Sequence, residues 1–226
     1  MRPNQRLWNQ NHQALRIALS HPDDFPEAIA LFLHLHAVLH SARMAPGAAW
    51  SFEDEVWQGL DEPDLRRIPE NGEHSIVWNT WHIARIEDVT MNLLVAGSPQ
   101  LLHQGGWLEK LQVSAQDTGN QMSAPDRSNL SASIDLQALR DYRLAVGCRT
   151  REIVRQLRPH ELKHKVLPSR LRQVQEEGAV VEAAVDLLDY WGNRTIAGLL
   201  LMPPTRHNFV HLNESQRIRE HILRRG

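Results

Sequence analysis

A single cysteine, Cys148, stands in a chain of 226 residues. One thiol cannot close an internal disulfide, and no CxxC pair is there to begin a zinc ribbon or a redox motif. A surplus of charge is missing too, since 25 Lys and Arg face 27 Asp and Glu for a formal net charge of -2. No overall field draws such a chain to phosphate backbones or anionic membranes, so no nucleic-acid partner is expected. Long apolar runs are also lacking. The opening MRPNQRLWNQNHQALRI carries no apolar stretch of the secretory kind, and the run from Ile196 to Met202 contains Gly198 and falls far short of a membrane span. These absences fit a cytoplasmic protein with no membrane partner. No segment alternates as a strand would. Tyrosine and phenylalanine are scarce at 2 and 4, while 7 tryptophans and 13 histidines are present, so chemistry is to be sought among the imidazoles.

With 42% apolar and 23% charged residues, the composition suits one globular domain over residues 1–226. The segment Pro26 to Met44, with Asp24 ahead of it and Pro26 in its first turn, predicts a long buried helix ending near Met-Ala-Pro-Gly. Ser51 followed by Asp54 opens a short helix in the manner of a capping box, and the stretch through Pro63, Pro69, Asn71 and Gly72 reads as loop. Ser75 is the N-cap of a second long helix that Gly97 and Pro99 stop. From Ser98 to Ser133 runs a polar connection with one amphipathic patch, GWLEKL, long enough to cross the body or line a site. A third helix spans Asp135 to Leu157 and stops at Pro159. A further helical stretch, EEGAVVEAAVDLLDYW, follows a polar linker. The last begins near Thr195, meets Pro203 and Pro204, and resumes at TRHNFVHLNE. Adjacent prolines either kink one helix or separate two.

Histidines four apart share a helix face and can share a metal ion. The spacing occurs at His36/His40, His160/His164 and His207/His211. Chance alone gives roughly 0.7 such pairs at this histidine content, so spacing by itself is a weak signal. Context separates the three. His160/His164 lies among Arg158, Glu161, Lys163 and Lys165, a solvated turn with no apolar shell. His207/His211 brackets Asn208, Phe209 and Val210 just after the double proline. His82 shares a stripe with Trp78, Val89 and Leu93 and faces inward. Three neutral imidazoles from two helices would leave room for water or substrate, the open arrangement of a catalytic metal site.

The run SIVWNTWHIARIEDVTMNLL, followed far downstream by TIAGLLLMPPTRHNFVHLNE, resembles the DinB/YfiT-like superfamily of metalloenzymes, from about Phe25 to Arg219. That family's pattern is one histidine on the second bundle helix and a pair four apart on the fourth. The resemblance implies an all-α four-helix bundle, up-down-down-up, here with additional short helices and a long crossover connection. It also implies a divalent metal, zinc or nickel first and iron as another candidate, on residues matching His82, His207 and His211. Several relatives are thiol-dependent transferases or isomerases using mycothiol or bacillithiol, and one branch supplies an iron-binding domain of ergothioneine synthases. Here the insertion between the first two helices is long, and an ergothioneine-synthase role, which needs a second catalytic domain, is not expected.

Other residues bear on the same site. His36 and His40, on the first bundle helix, are candidate cofactor-binding residues, as additional ligands or as donors to the ligands. Glu214, three after His211, is the candidate catalytic carboxylate, placed to take a proton or orient a ligand. Arg85 and Asp88 are spaced for an ion pair across one helical turn, and Cys148 reads as a packed, inert thiol. The expected function is Lewis-acid activation of water or a low-molecular-weight thiol against a small-molecule substrate. The competing expectation is a non-catalytic metal-binding or dimerising bundle in a stress response, and a homodimer fits either.

Overall fold

The computed structural model describes residues 2–44, 49–70, 72 and 74–224. The Ala-Pro-Gly stop expected after Met44, and Asn71, lie outside them. The structure is all-helical, as the sequence pattern predicts, with no strand among the described residues and one isolated bridge between Lys165 and Thr195. No helix among them is long and apolar enough to cross a membrane.

The central element is α5, Ile76–Asp88, which runs on without a break into a π-helical segment, Val89–Ala96. Ser75 caps it, its Oγ accepting from the Trp78 amide at 2.9 Å, as expected of an N-cap serine. Every residue from Ile76 to Val95 is buried. A threonine stands at the change of pitch. Thr90 Oγ1 donates to the Ile86 carbonyl at 2.7 Å, and such back-bonding competes with the backbone ladder at that turn. Gly97, at φ 67°, ends the run, in the left-handed conformation that glycine adopts at least cost.

Around α5 pack α8 (Leu136–Gln156), capped by Asp135, and α12 (Asn208–Leu223). The latter continues α11 (Ile196–Leu200), which Thr195 caps, through a second π-helical segment, Met202–His207. Pro203 and Pro204 therefore neither break the helix nor separate two. They bring no amide hydrogen to the ladder, Thr205 Oγ1 donates to the Leu200 carbonyl at 2.8 Å, and the turn widens instead of stopping.

Four expectations are corrected. The first bundle helix, α2, covers Phe25–Ala37 rather than reaching Met44. Its end is set from outside: the Val38 carbonyl accepts from the Phe52 amide at 2.8 Å, and the Leu39 carbonyl from Arg143 Nη2 at 3.0 Å. Carbonyls taken by distant partners cannot continue the ladder, so His40 lies beyond the helix. The loop expected around Pro63 holds a short helix, α4 (Glu62–Arg66), capped by Asp61. The stretch EEGAVVEAAVDLLDYW starts as a helix end: α9 is Pro168–Glu176, Gly178 sits at φ 64°, and α10 begins at Asp186. Finally, Cys148 is exposed on α8 rather than packed.

Besides α4 and a helix at Ala124–Ser133, two helices were invisible to the sequence pattern. One is α1, Pro3–Ala18, which lies against α2 with Trp8, His12 and Leu15 inward. The other is α9, whose Arg170 caps the end of the first π segment through the carbonyls of Leu94 and Val95 at 2.8 and 2.7 Å. The short α3 (Phe52–Trp57) is capped by Ser51 as its sequence suggests. Between Gly97 and α8 the connection forms α6 (Trp107–Leu111) and α7 (Ala124–Ser133). Two buried charges of α5 hold it down. Asp88 accepts from the amides of Leu101 and Leu102 at 2.9 and 3.0 Å, while Arg85 donates to Asp88 at 2.9 Å and to the Gln116 carbonyl at 2.7 Å. Arg85 is thus a structural ion pair that also fixes the chain just before Thr118.

Candidate metal centre

His82 of α5, and His207 and His211 at the second π segment and α12, come together. Their ring centroids are 4.9, 4.9 and 4.6 Å apart. One ligating atom from each lies within 4.8 Å of the others. His82 Nδ1 donates to the Thr118 carbonyl at 2.5 Å, and its Nε2 faces His207 Nε2 at 3.2 Å. On His211, Nδ1 meets Asn79 Oδ1 at 3.1 Å and Glu214 Oε2 at 3.3 Å. In both rings the Nδ1 proton is spoken for, which fixes the tautomer and leaves Nε2 as the coordinating nitrogen.

The electrostatics favour neutral rings. Burial first, and then the nearby His211, lower His82 to about 3, the Thr118 carbonyl only partly offsetting them. Burial also holds His207 well below the usual imidazole range, with His82 next in effect. Neutral imidazole is the form that binds a cation. Two nitrogens facing each other at 3.2 Å, with a third imidazole beside them, form a donor set that fits a divalent ion of borderline softness.

A tryptophan braces the site. Trp78 stacks on His82 at 4.7 Å and, on its other side in sequence, on His74 at 4.0 Å. Its Nε1 donates to Met122 Sδ at 3.3 Å, tying helix to connection. The connection comes this close because Gly119 has no side chain; a Cβ there would stand 2.5 Å from Trp81 Cζ3.

Glu214 lies at the rim rather than the centre, between His74 Nδ1 at 3.0 Å and His211 Nδ1. Burial pushes its carboxyl up, but the hydrogen bonds from His211 and His74 outweigh that and hold it ionised well below the usual carboxylate range. The side chains of His74, His211 and Glu214 are 18%, 16% and 27% exposed, so the site reaches solvent on this face. His74 was not singled out from sequence. Its signal is positional: it lies four before Trp78 and eight before His82, on the extension of the same helical stripe.

His36 and His40 do not join the three. They meet each other at 4.3 Å between ring centroids and flank Glu87, with His36 Nε2 at 2.7 Å from Oε1 and His40 Nε2 at 3.1 Å from Oε2. All three side chains are fully buried. Glu87 was also missed in the sequence, although a carboxylate inside IARIEDVTMNLL is a strong sign of a buried polar partner. His160 and His164, set aside as solvated, are exposed.

An all-helical fold among the described residues, with three histidines from two stretches of helix grouped so that they could hold a metal ion, defines a class of helical bundle. The DinB superfamily profile matches residues 48–186, more than half of the sequence, and the chain belongs to that superfamily. The matched stretch contains His82 and Glu87 and ends before His207 and His211. A search of the curated proteins finds no match.

Proposed function

We propose that this DinB protein is a metal-dependent enzyme acting on a small molecule, a thiol-dependent transferase or isomerase or else a hydrolase. A divalent ion, zinc or nickel first and iron as another candidate, would be held by His82, His207 and His211. The carrying observation is the pair of oriented rings. Thr118 and Asn79 occupy the outer nitrogens of His82 and His211, so both present their other nitrogen inward before any ion arrives, which lowers the cost of binding. The chemistry such an ion supplies is Lewis acidity, which makes a nucleophile of water or a thiol near neutral pH.

The chain's own residues do the rest. Substrate enters on the face where His74, His211 and Glu214 are partly exposed. Glu214, kept ionised by hydrogen bonds from His74 and His211, orients the His211 ring and offers its carboxylate as the acceptor for the nucleophile's proton. Trp78 and the 115–122 connection wall off the opposite side and exclude water there. In untagged protein, metal content should be near one equivalent at this centre and fall on His82→Ala or His211→Ala. Turnover with low-molecular-weight thiols should track that occupancy and stop with chelator. Unchanged metal in both variants removes the site; metal without turnover against any thiol or ester probe removes the enzyme.

A further inference from the structure

We infer that His36, His40 and Glu87 form a second divalent-cation site, sealed inside the bundle and structural in role, with the Asn208 amide holding its carboxylate. The inference is independent of the proposed reaction and of the three-histidine centre. Two imidazole nitrogens and a carboxylate converge within 4.8 Å with every residue buried. Each imidazole turns its Nε2 to the carboxylate, His36 at 2.7 Å from Oε1 and His40 at 3.1 Å from Oε2, which sets the ligating nitrogens on the side of Glu87.

Asn208 steadies the set. Its Nδ2 donates to Glu87 Oε2 at 2.7 Å and to the Pro204 carbonyl at 3.2 Å, two acceptors that fix the amide's orientation and hold the carboxylate in place. Two imidazole nitrogens and a carboxylate, all fully buried, are donors suited to zinc or a similar ion. Tetrahedral ligands on bonds of about 2 Å stand about 3.3 Å apart, so the contacts of 2.7 and 3.1 Å around Glu87 need open only slightly.

Charge points the same way. Arg143 spends its Nε on Glu53 at 2.6 Å and its Nη2 on the Leu39 carbonyl, and comes no nearer to Glu87 than 3.8 Å. Glu87 therefore has no close guanidinium partner in a sealed interior, where a divalent ion would balance its charge.

The test needs no variant to begin. Crystals of untagged protein, expressed with zinc in the medium, should give two anomalous peaks at the zinc edge, one of them among His36, His40 and Glu87. In the His82→Ala/His211→Ala protein, zinc should fall from two equivalents to one, and adding Glu87→Gln should take it to none. Absence of density at the second cluster in the wild-type map overturns the inference even if Glu87→Gln fails to fold. A peak there with none at the three histidines upholds it while sinking the proposed function, so the two readings fail separately.

Discussion

Both histidine clusters draw one side chain from α5, His82 in one and Glu87 in the other, yet their surroundings oppose each other. Around His82 the donors are three imidazoles, the carboxylate stands at the rim, and three side chains touch solvent. Around Glu87 the carboxylate is at the centre and nothing is exposed. Neutral donors with an exit suit exchange and reaction, whereas ionic donors without one suit permanence. The contrast shows how one helix serves both ends: a position one and a half turns further along moves from an accessible margin into the sealed interior.

The sharpest way to break the contrast is to remove each carboxylate. Glu87→Ala leaves two imidazoles, the Asn208 amide and Arg143 without their anion, and should cost about 3–5 kcal/mol in urea denaturation. Glu214→Ala, at the rim, should cost about 1 kcal/mol or less. Equal losses would mean the two environments are not as different as their burial indicates. A second probe fills the space beside His40. A Cβ on Gly147 would stand 2.6 Å from His40 Nδ1 and 2.8 Å from Met44 Sδ, so Gly147→Ala should cost about 1–3 kcal/mol, with no loss of metal at the three-histidine centre.

Acidity sharpens the comparison next. In metal-free protein, burial holds His82 and His40 each at about 3, His40 also feeling Arg143 and His36 against Glu87. The unfolded chain takes up these protons near the ordinary value of about 6.5, so stability is full above that pH and is lost as pH falls toward 3. Each ring should cost about 2 kcal/mol by pH 5, read as a shift of the urea midpoint. His40→Gln should flatten that limb and leave its upper plateau lower. The smallest effect is expected at His74: His74→Gln should leave metal content unchanged and move the pH dependence of turnover, because Glu214 loses a hydrogen-bond donor while the three ligating rings keep their own partners.

Much of this arrangement was legible in the chain. Ser51 and Ser75 cap the helices they were expected to cap, and Asp135 and Thr195 cap the helices expected to start at them, because capping is a local exchange of hydrogen bonds. His82, His207 and His211 meet as their spacing and the family resemblance implied. What stayed hidden depends on partners far away in sequence. Nothing near Ala37 announces that Phe52 and Arg143 will take the next carbonyls and put His40 off the helix. The π turn at Pro203 and Pro204 needs Thr205 reaching back to Leu200, which a periodicity count does not see. α9 is polar on most of its surface and buries only Val174, so its face toward the core is too narrow to register as a stripe.

The complete enclosure of α5 has a consequence for motion. Amides along residues 80–95 exchange with deuterated water only when the whole molecule opens, on the slowest timescale the protein has. Since both clusters are anchored there, breathing that admits a ligand has to come from the other walls: the stretch from Ala115 to Met122, tethered through a few side chains, and the start of α12. Deuterium uptake concentrated in those two stretches, against a silent α5, is the dynamic signature this architecture imposes.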